Sequence, residues 1–257
     1  MSAALTATVD TASTPPRVLL DVTGMAGATV TITRTDPAGN TVTVREADGA
    51  ALVAGAFTVY DYEAQHQVAN TWTATSDTAD SASDTATLAV TQPWLIHPGV
   101  PSLSRAVQVA QRGDRTRDTS TGVHTILGRA DPIAVSDGAR KSATFPLTLA
   151  TSTLTEEADL TALLADASPL LLQIGYSGVD RAEYCWVSIG QVVQSDAVDW
   201  FGNEHSHWTL PCTVVAAPTG SQQAERTYAD LLADFATYAD ADAAYATYHD
   251  LLVDTRI

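Results

Sequence analysis

Thr29-Val30-Thr31-Ile32-Thr33, then Asp36-Pro37-Ala38-Gly39-Asn40, then Thr41-Val42-Thr43-Val44-Arg45: these three stretches decide the fold class. Two runs of alternating β-branched residues flank a Pro/Gly/Asn turn signal, which predicts a β-hairpin. The same signature extends outward on both sides. Val18-Leu19-Leu20-Asp21-Val22 reads as a strand leading into a Gly24-Met25-Ala26-Gly27 turn. Ala56–Tyr62, Asn70–Thr75 and Ala86–Val90 read as further strands. Residues 1–16 are small and polar and read as a tail or a first edge strand. About six strands with frequent turns and no helix predict a small β-sandwich over residues 1–92.

Gln92–Gly99 carries two prolines around the apolar centre Trp94-Leu95-Ile96. Residues 93–99 therefore read as a stiff linker that packs on a neighbour. A second β domain is expected over residues 100–218. Its strand candidates are 107–109, 123–127, 133–135, 143–149, 170–174, 183–189, 191–197 and 208–215. One helix interrupts them, with Thr155 as expected N-cap, Glu156 and Glu157 in the first turn, and Leu160, Leu163 and Leu164 at helical spacing. This pattern predicts a mainly β chain whose second domain is a β-sandwich or split barrel with a helix plugging one side.

Residues 219–257 contain a ten-residue repeat: Thr227-Tyr228-Ala229-Asp230, Thr237-Tyr238-Ala239-Asp240, Thr247-Tyr248-His249-Asp250. In each unit the threonine is placed to cap a short helix and the aspartate to return the bond. Ten residues at about 100° each leave successive tyrosines roughly 80° out of register on a continuous helix. Three short helices therefore fit better than one long one. An ordinary amphipathic tail is the plain alternative. The repeat carries no nucleophile–base pair and no complete metal-ligand set, which points to assembly rather than catalysis.

Net charge is −17, with Lys141 the sole lysine beside twelve arginines. Binding to nucleic-acid phosphates or to anionic membranes is disfavoured. Residues 93–142 depart from the acidic background. They hold seven basic residues (Arg105, Arg112, Arg115, Arg117, Arg129, Arg140, Lys141) against four acidic ones. Copies are thereby able to dock basic face to acidic face in a salt-sensitive way; a solvated loop of mixed charge is the alternative. Nothing at the N-terminus reads as a secretory signal, and no apolar run is long enough to span a bilayer. A soluble protein made in the cytoplasm is expected.

Candidate chemistry is sparse. Glu204-His205-Ser206-His207 is the main metal candidate, because alternate strand residues share a face. It lacks a third ligand at fixed spacing, so no metal and no cofactor are expected. Arg112-Gly113-Asp114 matches a short receptor-read tripeptide and reads as a flexible loop able to order against a neighbouring subunit. Cys185 and Cys212 sit in apolar strand contexts and read as buried free thiols, a disulfide being the alternative. No nucleophile elbow or phosphate loop occurs. An enzyme is not expected. Trp186, Trp200, Trp208, Tyr176 and Tyr184 are able to stack on sugars, or to pack a core.

Ile126–Val135, Phe145–Leu149, the helix at 156–165, Ser168–Leu172 and the strand Trp208–Pro218 together resemble minor tail proteins of long-tailed phages that infect actinobacteria. The repeated Thr-Tyr-x-Asp strengthens the match, although that family more often has Thr-Trp-x-Asp. Ala241-Asp242 also replaces the usual apolar pair of the middle unit. The resemblance covers residues 93–257. It implies a virion structural protein of the tail tip or baseplate, similar to distal tail proteins. Such a protein forms a ring with its own copies and anchors tail tube, hub, fibres or receptor-binding proteins. DNA would only pass through the lumen, repelled by acidic walls. Arg105, Arg112, Arg115 and Arg117, with Tyr228, Tyr238 and Tyr248, are the expected subunit-interface residues. A carbohydrate-binding adhesin that uses the aromatic residues on a host surface is the rival reading. In the N-terminal sandwich, Tyr60-Asp61-Tyr62-Glu63-Ala64, ahead of an aromatic-bearing strand, resembles the closing part of immunoglobulin-like or fibronectin type III domains.

Overall fold

A computed structural model describes residues 2–127, 130–131, 133–174, 183–198 and 204–218. The chain is mainly β, with one α-helix among the described residues. The first eight strands are β1 (Ala4–Asp10), β2 (Arg17–Thr23), β3 (Thr29–Thr35), β4 (Thr41–Thr43), β5 (Ala50–Ala51), β6 (Phe57–Asp61), β7 (Ala69–Ser76) and β8 (Ser81–Thr87). They form two antiparallel sheets. One has the order β1-β2-β6; the other has the order β4-β3-β7-β8, with β5 paired to β3. Alternation decides which side chains face inward. Val18, Leu20 and Val22 of β2 and Val30 and Ile32 of β3 are buried in one shared core with Val59 and Trp72.

The decisive hairpin forms as its turn chemistry requires. Arg34 pairs with Val42, and Gly39 takes φ +87°, a conformation open to glycine at no steric cost. Asp36 Oδ1 accepts the amide of Asn40 at 2.9 Å and closes the turn. The first sixteen residues contain a true edge strand, β1, paired along the whole of β2. The strand expected at 86–90 lies earlier, at β8. Its partly buried positions are the small residues Ala82, Asp84 and Ala86, so the expected run of large apolar residues is missing. Leu88 and Val90 are buried beyond its end.

The second half contains β9 (Trp94–Ile96), β10 (Arg105–Ala106), β11 (Gln108–Arg112), β12 (Thr119–His124), β13 (Ile133–Arg140), β14 (Thr144–Thr151), α1 (Leu154–Ala165), β15 (Leu170–Ile174), β16 (Glu183–Ile189), β17 (Val193–Val198) and β18 (Glu204–Val215). Residues 93–99 depart from the linker expectation. Trp94–Ile96 is wholly buried and pairs with both β10 and β15, because three consecutive apolar residues suit a strand covered on both faces.

One antiparallel sheet runs β10-β9-β15-β16-β18-β14-β11, with β17 alongside β18. Its two edge strands are nearly consecutive in sequence, separated only by Val107. The stretch Arg105–Arg112 therefore joins both edges, and the sheet closes on itself rather than facing a second sheet. Leu147, Leu149, Leu170, Leu172, Val187, Leu210 and Cys212 fill its interior, and Leu160 and Leu163 of α1 join them.

The helix begins two residues earlier than expected. Thr153, not Thr155, is the N-cap: its side chain accepts the Glu156 amide at 3.1 Å. Such a cap is worth about 1 kcal/mol. Glu156 Oε2 in turn accepts the amide of Ser152 at 2.7 Å.

Candidate functional site

Two features stand out from the β framework: a polar seam between its halves and a projecting arm. The seam starts with an arginine in an apolar position. Arg34 follows Val30 and Ile32 on the inward face of β3, and its side chain is only 5 % exposed. Its Nη1 donates to both carboxylate oxygens of Asp61 at 2.7 Å. Trp72 Nε1 donates to Asp61 Oδ2 at 2.8 Å, and the Glu63 amide donates to Oδ1 at 2.9 Å. The carboxylate is thus held by four donor contacts from three residues. Burial alone would disfavour the Arg34 guanidinium, but Asp61 beside it raises its affinity for the proton.

The network crosses into the second half. Arg34 Nη2 donates to the Tyr184 hydroxyl of β16 at 2.9 Å, and that hydroxyl donates to the Glu63 carbonyl at 3.1 Å. Burial pushes the Tyr184 phenol up to about 12, so it stays protonated at neutral pH. Arg45 Nε pairs with Glu63 Oε1 at 2.7 Å, and its Nη2 reaches the Pro218 carbonyl at 3.2 Å. Deeper in the seam, Gln173 of β15 accepts the His66 amide at 3.0 Å and donates to the Ala64 carbonyl at 3.1 Å. Burial pushes the His66 imidazole down to about 4.

Alternation explains why this wall of the sheet has two dry faces. Leu170, Leu172 and Ile174 point into the closed sheet; Leu171 packs with the N-terminal core. Likewise Leu95 points inward while Trp94, Ile96 and Trp186 join the N-terminal core. One apolar cluster therefore runs across both halves.

The arm is β12 and β13. These strands pair only with each other and belong to neither large sheet. They continue the β11–β14 hairpin outward through a Thr116–Thr144 bridge. From Asp114 to Ser142, every residue whose burial is described is exposed. Leu127 is fully exposed, and Ile126, Ile133 and Val135 are exposed too.

The chain matches no family model and no curated protein sequence.

Sequence-predicted residues fall at different places. Arg105 pairs with Asp159 of α1 at 3.3 Å. Arg112 ends β11 and the Gly113 amide donates to the Pro146 carbonyl at 2.8 Å, so Arg112-Gly113 is a paired strand end rather than a flexible loop. Arg115 lies over the Phe145 ring at 5.3 Å, and its guanidinium reaches Cys185 Sγ at 3.8 Å. Arg117 is exposed at the root of the arm. Tyr228, Tyr238 and Tyr248 lie outside the described residues, as do Tyr176 and Trp200.

His207 is exposed on β18; the side chain of His205 lies outside the described residues. Among the described residues, no group of three or more His, Cys, Asp or Glu side chains is placed to hold a metal ion. Cys185 and Cys212 are free thiols, and burial raises the Cys212 thiol to about 12. Trp186 and Trp208 are buried, so neither belongs to an exposed aromatic rim. Trp208 Nε1 donates to Thr151 Oγ1 at 3.2 Å. No described helix is long and apolar enough to cross a membrane.

The seam was missed at the sequence level although its signal was present. Arg34 and Asp61 each occupy an inward position of an alternating strand. A charged residue at such a position calls for an opposite charge elsewhere in the core.

Proposed function

We propose that this chain is a virion structural protein of a phage tail tip or baseplate, a distal-tail-like or minor tail protein that forms a ring of identical copies. The observation that carries this reading is the arm. A two-stranded hairpin is marginally stable alone in water, and this one exposes Ile126, Leu127, Ile133 and Val135. Exposed apolar surface on an outlying hairpin fits a segment that is covered on assembly. The seam supports the same role, because a subunit that holds partners in place gains from two halves fixed as one body.

The finer domain reading follows from strand order. The β1-β2-β6 sheet facing β4-β3-β7-β8 favours an immunoglobulin-like or fibronectin type III-like sandwich over 1–92. The closed sheet with α1 against its interior favours a split-barrel ring domain over 100–218. In this reading the ring domain contacts its own copies and the tail tube, the sandwich projects outward, and the 219–257 repeat packs on a neighbour. The excess of acidic residues suits a lumen through which DNA slides.

Electron microscopy of the purified full chain at high concentration tests the proposal. Closed rings of uniform size are expected. A monomer at all concentrations, absent from any virion, is the opposing result.

A further inference from the structure

One corner of the seam is both polar and dry. Among the described residues, four buried side-chain atoms have no hydrogen-bond partner: His66 Nδ1 and Nε2, Asn70 Oδ1 and Trp94 Nε1. All belong to this corner. His66 lies between β6 and β7, and its amide donates across the seam to Gln173 Oε1. Asn70 Nδ2 clamps the same segment, donating to the Gln65 carbonyl at 2.9 Å and the Val68 carbonyl at 3.1 Å. Trp94 stands beside Gln173 in the β9–β15 register, and Tyr184 stands on its other side. The neighbouring row, Ile96–Leu171–Trp186, is apolar and belongs to the shared core.

The corner is also strained. Gln67 holds φ +60°, a left-handed conformation unfavourable to a residue with a side chain. Two bonds keep it there: its amide donates to the Leu88 carbonyl at 2.8 Å, and its Nε2 donates to the Val90 carbonyl at 2.9 Å. Opening the corner would relieve the strain and hydrate the unpartnered atoms. No surrounding element offers a counter-charge to a proton on His66. β7 brings Asn70, the chain after β8 brings Leu88, β9 brings Trp94 and β15 brings Gln173, all neutral. β16 brings Tyr184, whose phenol stays protonated. The charged groups of the seam bind each other, Asp61 with Arg34 and Glu63 with Arg45. Burial is the sole cause that holds the imidazole down near 4.

We propose that His66 is an acid-sensitive latch between the two halves: when its ring takes up a proton, the Gln65–Val68 corner releases Gln173 and opens to water, while the Ile96–Leu171–Trp186 row keeps the halves together. A charged imidazole has two N–H donors and no counter-charge inside the closed corner, so it is solvated only in the open form. The latch is independent of ring formation.

Hydrogen–deuterium exchange of the full chain, corrected for the intrinsic pH dependence of amide exchange, tests this. The His66 and Gln67 amides report the corner, because they bond Gln173 and Leu88. With the ring near 4 when closed and at its ordinary 6.5 when open, their protection should fall roughly twentyfold from pH 7 to pH 5. Amides of the β14–β18 ladder should keep theirs within about twofold, as expected of a local opening. His66→Gln and His66→Leu, checked for folding by circular dichroism, should hold the corner's protection flat over the same range. Unchanged protection in the unaltered chain, a loss shared equally by the β14–β18 amides, or the same fall in either folded variant overturns the latch. Should neither variant fold, an NMR titration of the His66 ring in the unaltered chain decides: a midpoint well below 6.5 supports the latch, and a midpoint at 6.5 overturns it.

Discussion

Arg34 and Asp61 carry the largest single stake in the seam. Removing one partner of a buried ion pair leaves an uncompensated charge and costs about 3–5 kcal/mol. Asp61→Asn is therefore expected to lower unfolding stability by that amount in denaturant melts, because Arg34 is left buried without its counter-charge. A second residue reads out pH. His66 is 3 % exposed, and the imidazole is held near 4 in the folded chain against an ordinary value of 6.5. The unfolded chain then binds more protons between those values, so stability falls as pH drops from about 6.5 to 4. At about 1.4 kcal/mol per unit, the loss reaches about 3 kcal/mol. His66→Gln should flatten that slope relative to the unaltered chain in melts across the same range; an unchanged slope would exclude His66 as its source, because carboxylates lowered in the fold, such as Asp10, Asp36 and Asp166, lose their contribution mainly below their ordinary value of 3.8. None of this was legible from the tripeptide Tyr60-Asp61-Tyr62. Arg34 lies 27 residues away in sequence, and only the sheet facing fixes the pairing.

At the scale of elements, local chemistry was legible where it was self-sufficient. The Asp36–Asn40 turn and the alternation of β3 locate a hairpin without tertiary help. The helix was legible too, although Thr153 caps it: Thr153 stands three residues before Glu156, the capping-box spacing, and Thr155 stands before Ala158. Two other elements were not. β8 is built of small and polar residues because its outer face is solvated, and β9 is so short that its apolar centre reads equally as a packed linker. The arm was half legible. A strand at 123–127 was expected, yet β12 ends at His124 and leaves Ile126 and Leu127 beyond the ladder. The C-terminal repeat belongs to this scale as well. Deleting residues 221–257 keeps the Arg45–Pro218 contact and both β units, so thermal unfolding should change little while assembly weakens by sedimentation. Normal assembly of the shortened chain would reduce the repeat to a plain tail.

For the whole molecule, the apolar cluster shared by β2, β3, β7, β9, β15 and β16 ties the N-terminal sheets to the closed sheet. The polar seam orients that contact through Tyr184, Glu63 and Gln173. Among the described residues the result is one body with one protruding arm, in a chain that is strongly acidic elsewhere. Such a body suits a subunit whose task is to hold neighbours at fixed angles. Composition indicated the charge asymmetry, but not that β12 and β13 would stand clear of both sheets, because exposure depends on where the rest of the chain packs. The most direct test of the structural role is the symmetry of the assembled particle. Electron-microscopic class averages of the full chain should show a closed ring with a fixed number of copies and a central opening, dispersing as salt is raised. A uniform field of single copies at high concentration and low salt would contradict the account.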